Sequence, residues 1–387
     1  MYLPRRHKVD IPAYSVSTDR WRDFDWMLFL TMGVLMAFGA ISIWSAVGLP
    51  NPIVSYLNDG TKHLIFGSIG LVLMFFFANM DYRYLLAFVW PLYVLGLLLL
   101  MVVQTPLGVE VAGAQNWLNV GFTLIQPSEF TKITTILALS AFVAGQGAEM
   151  RRLSNFVIAA LIVALPSLLI LIGPDLGQTM VYIAIWLSAL LAMRTSRLWI
   201  AITFISLPFL ALFAWEFVLQ PYQKIRLMVS FDPDSDQLGG GYQILQARTA
   251  IGAGGMFGEG IRGGTQSTLN LLGVAESDFI FAHASGMFGF VGMIGLLIAT
   301  VILIWRCLSI AEVARDHFGQ MIAIATAGMF FFQATLNIGM NVGLMPVAGI
   351  TLPFVSAGVS SLWTSMIFVG ILQSIRMHHR KLGFQPL

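Results

Sequence analysis

Ten runs of apolar residues, each near the length of a membrane-spanning helix, constrain this chain more than any other feature. They cover residues 26–47, 62–80, 84–103, 129–146, 156–172, 178–193, 198–219, 279–305, 319–341 and 355–375. A hydrocarbon core about 30 Å thick is crossed by roughly 20 residues of helix. The composition agrees: 57% of the chain is hydrophobic and only 10% is charged, where a soluble domain carries roughly 25%. The expected fold is therefore an all-α polytopic membrane protein of about ten transmembrane helices. The basic residues are scattered, so nothing points to nucleic acid. The single cysteine, Cys307, excludes an internal disulfide or a thiolate metal cluster.

The expected organisation has three parts. A polar cytoplasmic segment, 1–25, shows no cleavage site. A membrane domain runs over 26–376, and a cytoplasmic tail over 377–387. Fifteen of the 21 Lys and Arg residues fall on one side if the N-terminus is inside, which predicts an N-in, C-in orientation. The six on the outer side are Lys62, Lys132, Lys224, Arg226, Arg248 and Arg262. Two outer connections are long, 104–128 and 220–278, and long loops are commonly functional. The second is expected to fold over the outer mouth of the bundle with one or two short helices, QILQARTAIG being a candidate interfacial helix.

Ionisable residues at membrane depth are costly and are functional candidates by default. Here they gather at the outer ends of spans. Glu129 and Lys132, at i and i+3 in QPSEFTK, share a helix face and can pair; they fit either a structural ion pair or a site. Asp175 in GPDLGQ fits an N-cap or a site, as does Asp278 before FIFAHASG. Lys224, Arg226, Arg248 and Arg262 could bind an anionic phosphate group. GAGGMFGEG resembles a phosphate-cradling loop but lacks the α/β unit such a loop needs, and loop flexibility is the simpler account. Gly286, Gly289, Gly292 and Gly295, three apart, fit close helix packing. In NIGMNVGLMPVAGITLPFVSAGVSS, prolines bracket an irregular turn followed by Ser356, Ser360 and Ser361, as in a re-entrant loop lining a site.

These blocks, in order and spacing, resemble the SEDS family (shape, elongation, division and sporulation), which includes RodA and FtsW. They are NWLNVGFTLIQPSEFTK, GPDLGQ, YQKIRLMVSFDPDSDQLGGGYQILQARTAIGAGGMFGEG, GTQSTLN, SDFIFA and the final NIGMNVGLMPVAGITLPFVSAGVSS, spanning about 26–376. GTQS tilts the likeness towards elongation-type members. The resemblance implies an inverting peptidoglycan glycosyltransferase in the cytoplasmic membrane. Such an enzyme polymerises lipid II on the outer face, releases undecaprenyl pyrophosphate and works with a class B penicillin-binding protein.

It also implies that Asp278 is the catalytic base and that Glu129, Lys132, Asp175, Lys224 and Arg226 bind substrate, with Ser356 and Ser360 from the final block. Beside Lys and Arg, Asp278 would have a lowered pKa. A divalent ion, Mg or Mn, could be held by Asp175 and Glu129; no organic cofactor is expected. The chain departs from the family pattern at Asn116 (usually Arg), Gly273 and Val274 (Pro-Glu), Gly286 and Met287 (Glu-Glu) and Val359 (the second Gly of Gly-Gly-Ser). A lipid flippase and a non-catalytic scaffold for the partner synthase are the alternatives.

Overall fold

The structure, a computed structural model, describes residues 18–46, 59–111, 114–121, 123–193, 195–236, 239–261 and 272–379. Most of the N-terminal segment and the end of the tail lie outside the described residues. Each of the ten predicted spans falls on a helix. These are α1 (Trp26–Ala46), α2 (Asp59–Asn79), α3 (Leu85–Val103), α4 (Pro127–Gln146), α5 (Leu153–Ile172), α6 (Leu176–Ala192), α7 (Arg197–Phe217), α10 (Ile280–Val313), α11 (His317–Asn341) and α12 (Val359–Met377). Among the described residues between α7 and α10 lie two shorter helices, α8 (Pro221–Phe231) and α9 (Gly240–Ala253). The molecule is a polytopic all-α membrane protein. Among the described residues, eight helices are long and apolar enough to cross a bilayer, and Leu176–Ala192 is a shorter apolar helix.

Burial separates the spans into an inner core and a lipid-facing shell. α12 is buried along almost its whole length and α11 along most of it, and they pack with α2, α4, α6 and α10. α11 buries Thr326, Gln333, Asn337 and Asn341, and α12 buries Ser360, Ser361, Thr364, Ser365, Gln373 and Ser374, which lowers their hydropathy. α7 has no buried residue; Phe204, Ile205, Phe209, Leu212 and Phe213 are all exposed, as a helix in lipid contact requires.

Residues assigned to the inner side meet at one end of the bundle. Arg306 pairs with Asp25, whose main chain is bonded both ways by Gln373. The Tyr82 hydroxyl donates to Asp316, the N-cap of α11. The candidate acids Asp175 and Asp278 lie at the opposite helix ends, before α6 and α10.

The first outer loop carries structure that the sequence did not suggest. It is a three-stranded antiparallel sheet in the order β1 (Gly108–Val111), β2 (Ala114–Asn119), β3 (Leu124–Ile125), with Val109 opposite Trp117 and Leu118 opposite Ile125.

The glycine loop corrects two expectations. Gly289 breaks α10 with φ 61 and ψ −168, a conformation essentially restricted to glycine. The peptide groups freed by the break are satisfied by the loop after α9. Glu259 N donates to Gly286 O at 2.9 Å and Gly260 N to Met287 O at 3.1 Å; Phe290 N donates to Gly255 O at 2.9 Å and Val291 N to Met256 O at 3.1 Å. A Cβ at Gly258 would overlap the carbonyl of Met287. GAGGMFGEG is thus neither a phosphate cradle nor a slack linker, because its amides and carbonyls are engaged by the broken helix. Gly289 serves the break rather than helix packing, and a Cβ at Gly295 would meet nothing within 4 Å.

Candidate active site

A cavity of about 330 Å³ opens among the outer ends of the helices. Its wall is drawn from distant parts of the chain: Asn116 and Trp117 of β2, Gln126 before α4, Asp175 and Gln178 at the start of α6, Tyr222 and Arg226 of α8, Asp278, and Gly349, Ser360 and Ser361 of the final block. Asp175, Arg226, Asp278 and Ser360 are the sequence-selected residues brought to this wall.

Asp278 stands at the end of the long outer loop, two residues before α10. Its main chain is fixed from two sides. Asn337 and Asn341, buried one turn apart on α11, both donate through Nδ2 to the Asp278 carbonyl, at 3.2 and 2.9 Å. On the other side Ser356 Oγ donates to Ser277 O at 2.7 Å and Ala357 N donates to Glu276 O at 2.8 Å. The carboxylate accepts from Ser277 Oγ at 3.2 Å. Val274 (φ 53) and Phe354 (φ 65) are the non-glycine residues with positive φ among the described ones. Both lie in the two segments that frame Asp278, and backbone strain tends to persist where surrounding structure over-determines a functional geometry.

Burial pushes the Asp278 pKa up; the Ser277 hydroxyl and the charge of Arg226 pull against it, and Glu276 adds to the rise. This reverses the expected lowering, because desolvation outweighs the cations. The cations are also fewer than expected. Lys132 is fully buried and pairs with Glu129 at 2.8 Å, and neither lines the cavity. Lys224 lies off the wall with its ammonium over the ring of Trp215, 5.7 Å from the centroid. Arg248 is bonded to the Gly343 carbonyl, and Arg262, like the GTQSTLN block, lies outside the described residues. Arg226, 5.7 Å from the Tyr222 centroid, is the expected cation that reaches the wall.

Asp175 caps α6 by accepting from Gln178 N at 3.0 Å. Its second oxygen accepts from Gln126 Nε2 at 3.1 Å and Asn116 Nδ2 at 3.2 Å. Asn116, a departure from the family pattern, thus holds the carboxylate with a neutral amide. Burial raises the Asp175 pKa to about 6, against the bond from Gln178 N and the charge of Lys132. Gln178 links the two acids by donating from Nε2 to Glu129 at 2.7 Å.

Glu129 is engaged by Lys132 and Gln178, and no group of three or more His, Cys, Asp or Glu among the described residues is placed to hold a metal. Ser356 lies behind the wall, bonded to Ser277 O and Leu352 N. Ser360 lines the cavity and accepts from Gln126 N at 2.9 Å. Sequence reasoning missed Gln126, Gln178, Asn337 and Asn341; the signal for the asparagines was their i, i+4 spacing inside an otherwise apolar span.

The family model for FtsW, RodA and SpoVE, described as a cell cycle protein, matches residues 24–381. The chain belongs to this family. Peptidoglycan glycosyltransferase MrdB of Escherichia coli is 36% identical over 92% of this chain and 94% of its own. The crystal structure of the rod shape determining protein RodA of Thermus thermophilus superposes with a TM-score of 0.68 at 25% identity, covering 92% of this chain and 97% of that one. A chain of a peptidoglycan synthase complex, described for its coordination of polymerization and crosslinking, superposes at 0.77 with 27% identity, covering 94% and 99%.

Proposed function

We propose that the outer cavity is the polymerising site of a peptidoglycan glycosyltransferase of the elongation type, with Asp278 as its base. Full-length relatives carrying that activity in their names support the enzyme over the flippase and scaffold alternatives. The chain is a multi-pass protein of the cytoplasmic membrane, and we take it to cross ten times with both termini inside. The observation that carries the site assignment is the placement of Asp278 on the wall of the outer cavity, locked through its main chain by Asn337 and Asn341 and through its neighbours by Ser356 and Ala357.

The chemistry follows from what the wall presents. A sugar hydroxyl of one lipid II unit attacks the anomeric carbon of another. The bond from that carbon to pyrophosphate breaks, and undecaprenyl pyrophosphate leaves with the electron pair. Asp278 takes the hydroxyl proton. Burial raises its pKa, which strengthens the carboxylate as a base. Arg226 contributes charge-assisted hydrogen bonds to the pyrophosphate as negative charge develops. A single displacement inverts the anomeric carbon. Asp175, held by Asn116, Gln126 and Gln178, orders the opposite wall with Ser360.

The partner proposed for the chain is a class B penicillin-binding protein that cross-links the new strand. The likeness to a chain in a synthase complex supports it. Asp278→Ala is expected to abolish glycan formation by purified, folded protein, and normal polymerisation by that variant would remove Asp278 from the mechanism.

A further inference from the structure

His63 lies on α2, a helix that contributes nothing to the cavity wall. Its side chain is buried, and it hydrogen-bonds the main chain of Phe354. Nε2 has no partner, so the donor is Nδ1–H and the acceptor is the Phe354 carbonyl. An imidazole here could simply fill space. What it holds argues otherwise.

Phe354 is in the left-handed region at φ 65, a conformation that is strained for a residue with a Cβ. Its ring packs on Phe330 at 5.7 Å, and Gly39 of α1 lets that helix close on Val355. The carbonyl orientation that this turn imposes is the one that His63 meets. The turn continues directly into the contacts that frame the base. Leu352 N donates to Ser356 Oγ at 2.9 Å, Ser356 Oγ donates to Ser277 O at 2.7 Å, and Ala357 N donates to Glu276 O at 2.8 Å. Ser277 in turn donates to the Asp278 carboxylate at 3.2 Å. A continuous path of hydrogen bonds and two short turns of backbone therefore runs from α2 to the reacting group.

We infer that His63 is a positioning residue for glycan polymerisation, acting through the Phe354 turn on the Asp278 segment. The inference rests on Asp278 being the base. Main-chain displacements well below 1 Å matter at such a site, since a 1 Å misplacement costs about a hundredfold in rate. The role asks for a donor at the position of Nδ1, which an asparagine side chain reproduces and a leucine does not.

The test is steady-state lipid II polymerisation by the purified full chain as wild type, H63N, H63L, S356A and D278A, with thermal unfolding of each. His63→Leu should lower kcat about tenfold to a hundredfold, with KM within twofold of wild type. His63→Asn should retain at least half of kcat. Ser356→Ala cuts the same path one link nearer the base and should lower kcat by a comparable factor, which keeps the inference testable if His63→Leu does not fold. Wild-type kcat in His63→Leu or in Ser356→Ala, or equal losses in His63→Asn and His63→Leu, would overturn it. An active Asp278→Ala would overturn the reading of the base itself, an outcome distinct from an inactive Asp278→Ala beside a fully active His63→Leu.

Discussion

Replacing Gly289 with alanine attacks the junction between the long outer loop and the helix that follows the base. At φ 61 and ψ −168 an alanine is strained by about 1–3 kcal/mol. Its Cβ would overlap the amide nitrogen of Gly258 and the main chain of Met256 and Phe257, so the loop must also withdraw. Four main-chain hydrogen bonds join the loop to the break. Losing only two of them costs about 1–3 kcal/mol, at about 0.5–1.5 kcal/mol each. The total is about 2–6 kcal/mol, concentrated in the segment that presents Asp278. Gly295→Ala is the control, because its Cβ meets nothing within 4 Å and alanine is the better helix former by about 1 kcal/mol. Thermal unfolding in detergent and limited proteolysis of residues 240–261 read the effect. Gly289→Ala should melt several degrees lower and be cut faster, with Gly295→Ala at or slightly above wild type. Equal stability in the two variants would refute the lock between loop and broken helix.

Three further outcomes follow from the site. The folded pKa of Asp175, about 6, lies above its ordinary value of 3.8, so the stability linked to its proton is present below about pH 4 and is lost as pH rises through 6. Above that the buried charge costs at most about 3 kcal/mol, at 1.36 kcal/mol per pH unit; Asp175→Asn should therefore melt above wild type at pH 8, with the gap closing by pH 4, and a gap independent of pH would contradict the cause. Lys132→Met leaves Glu129 charged and buried and should destabilise by about 3–5 kcal/mol, with much of the loss recovered when Glu129→Gln is added; an unaltered melting point for Lys132→Met would show that the pair is not held as described. Arg226→Ala should raise KM for lipid II at least about tenfold, from a charged hydrogen bond of about 1.5–3 kcal/mol, and shift the acid limb of the pH–rate profile upward, since Arg226 holds the Asp278 pKa down. Lys224→Ala should stay within twofold of wild type, and equal effects of the two would contradict the placement of Lys224 off the wall.

The spans were legible because lipid leaves one solution for a run of 20 apolar residues. Helix ends differed from the sequence reading by a few residues; α10, for example, runs on to Val313. α6 and α12 fall on predicted spans but are absent from the long, apolar set, one being short and the other carrying a Ser, Thr and Gln face turned into the core. The sheet at 108–125 was not legible, since its strands are two to six residues long and carry no sustained alternation. Asp175, Asp278, Arg226 and Ser360 could be selected as outer polar residues, but sequence could not say which cations reach the same wall. Lys224 is two residues from Arg226 on α8, about half a turn away, so only one of them faces inward. The glycine loop was misread because its partner lies about 30 residues downstream, at a break that only the positive φ of Gly289 reveals. The pKa of Asp278 was misjudged for a related reason: adjacent cations are visible in a sequence, and desolvation is not.

The central claim is that Asp278 is the base of a polymerising site, and lipid II polymerisation by purified wild type and Asp278→Asn tests it most directly. Asparagine keeps the shape of the side chain and the main-chain bonds from Asn337 and Asn341 while removing the base. Glycan strands from wild type and none from a folded Asp278→Asn is the predicted result; strands of similar length and rate from both would contradict it.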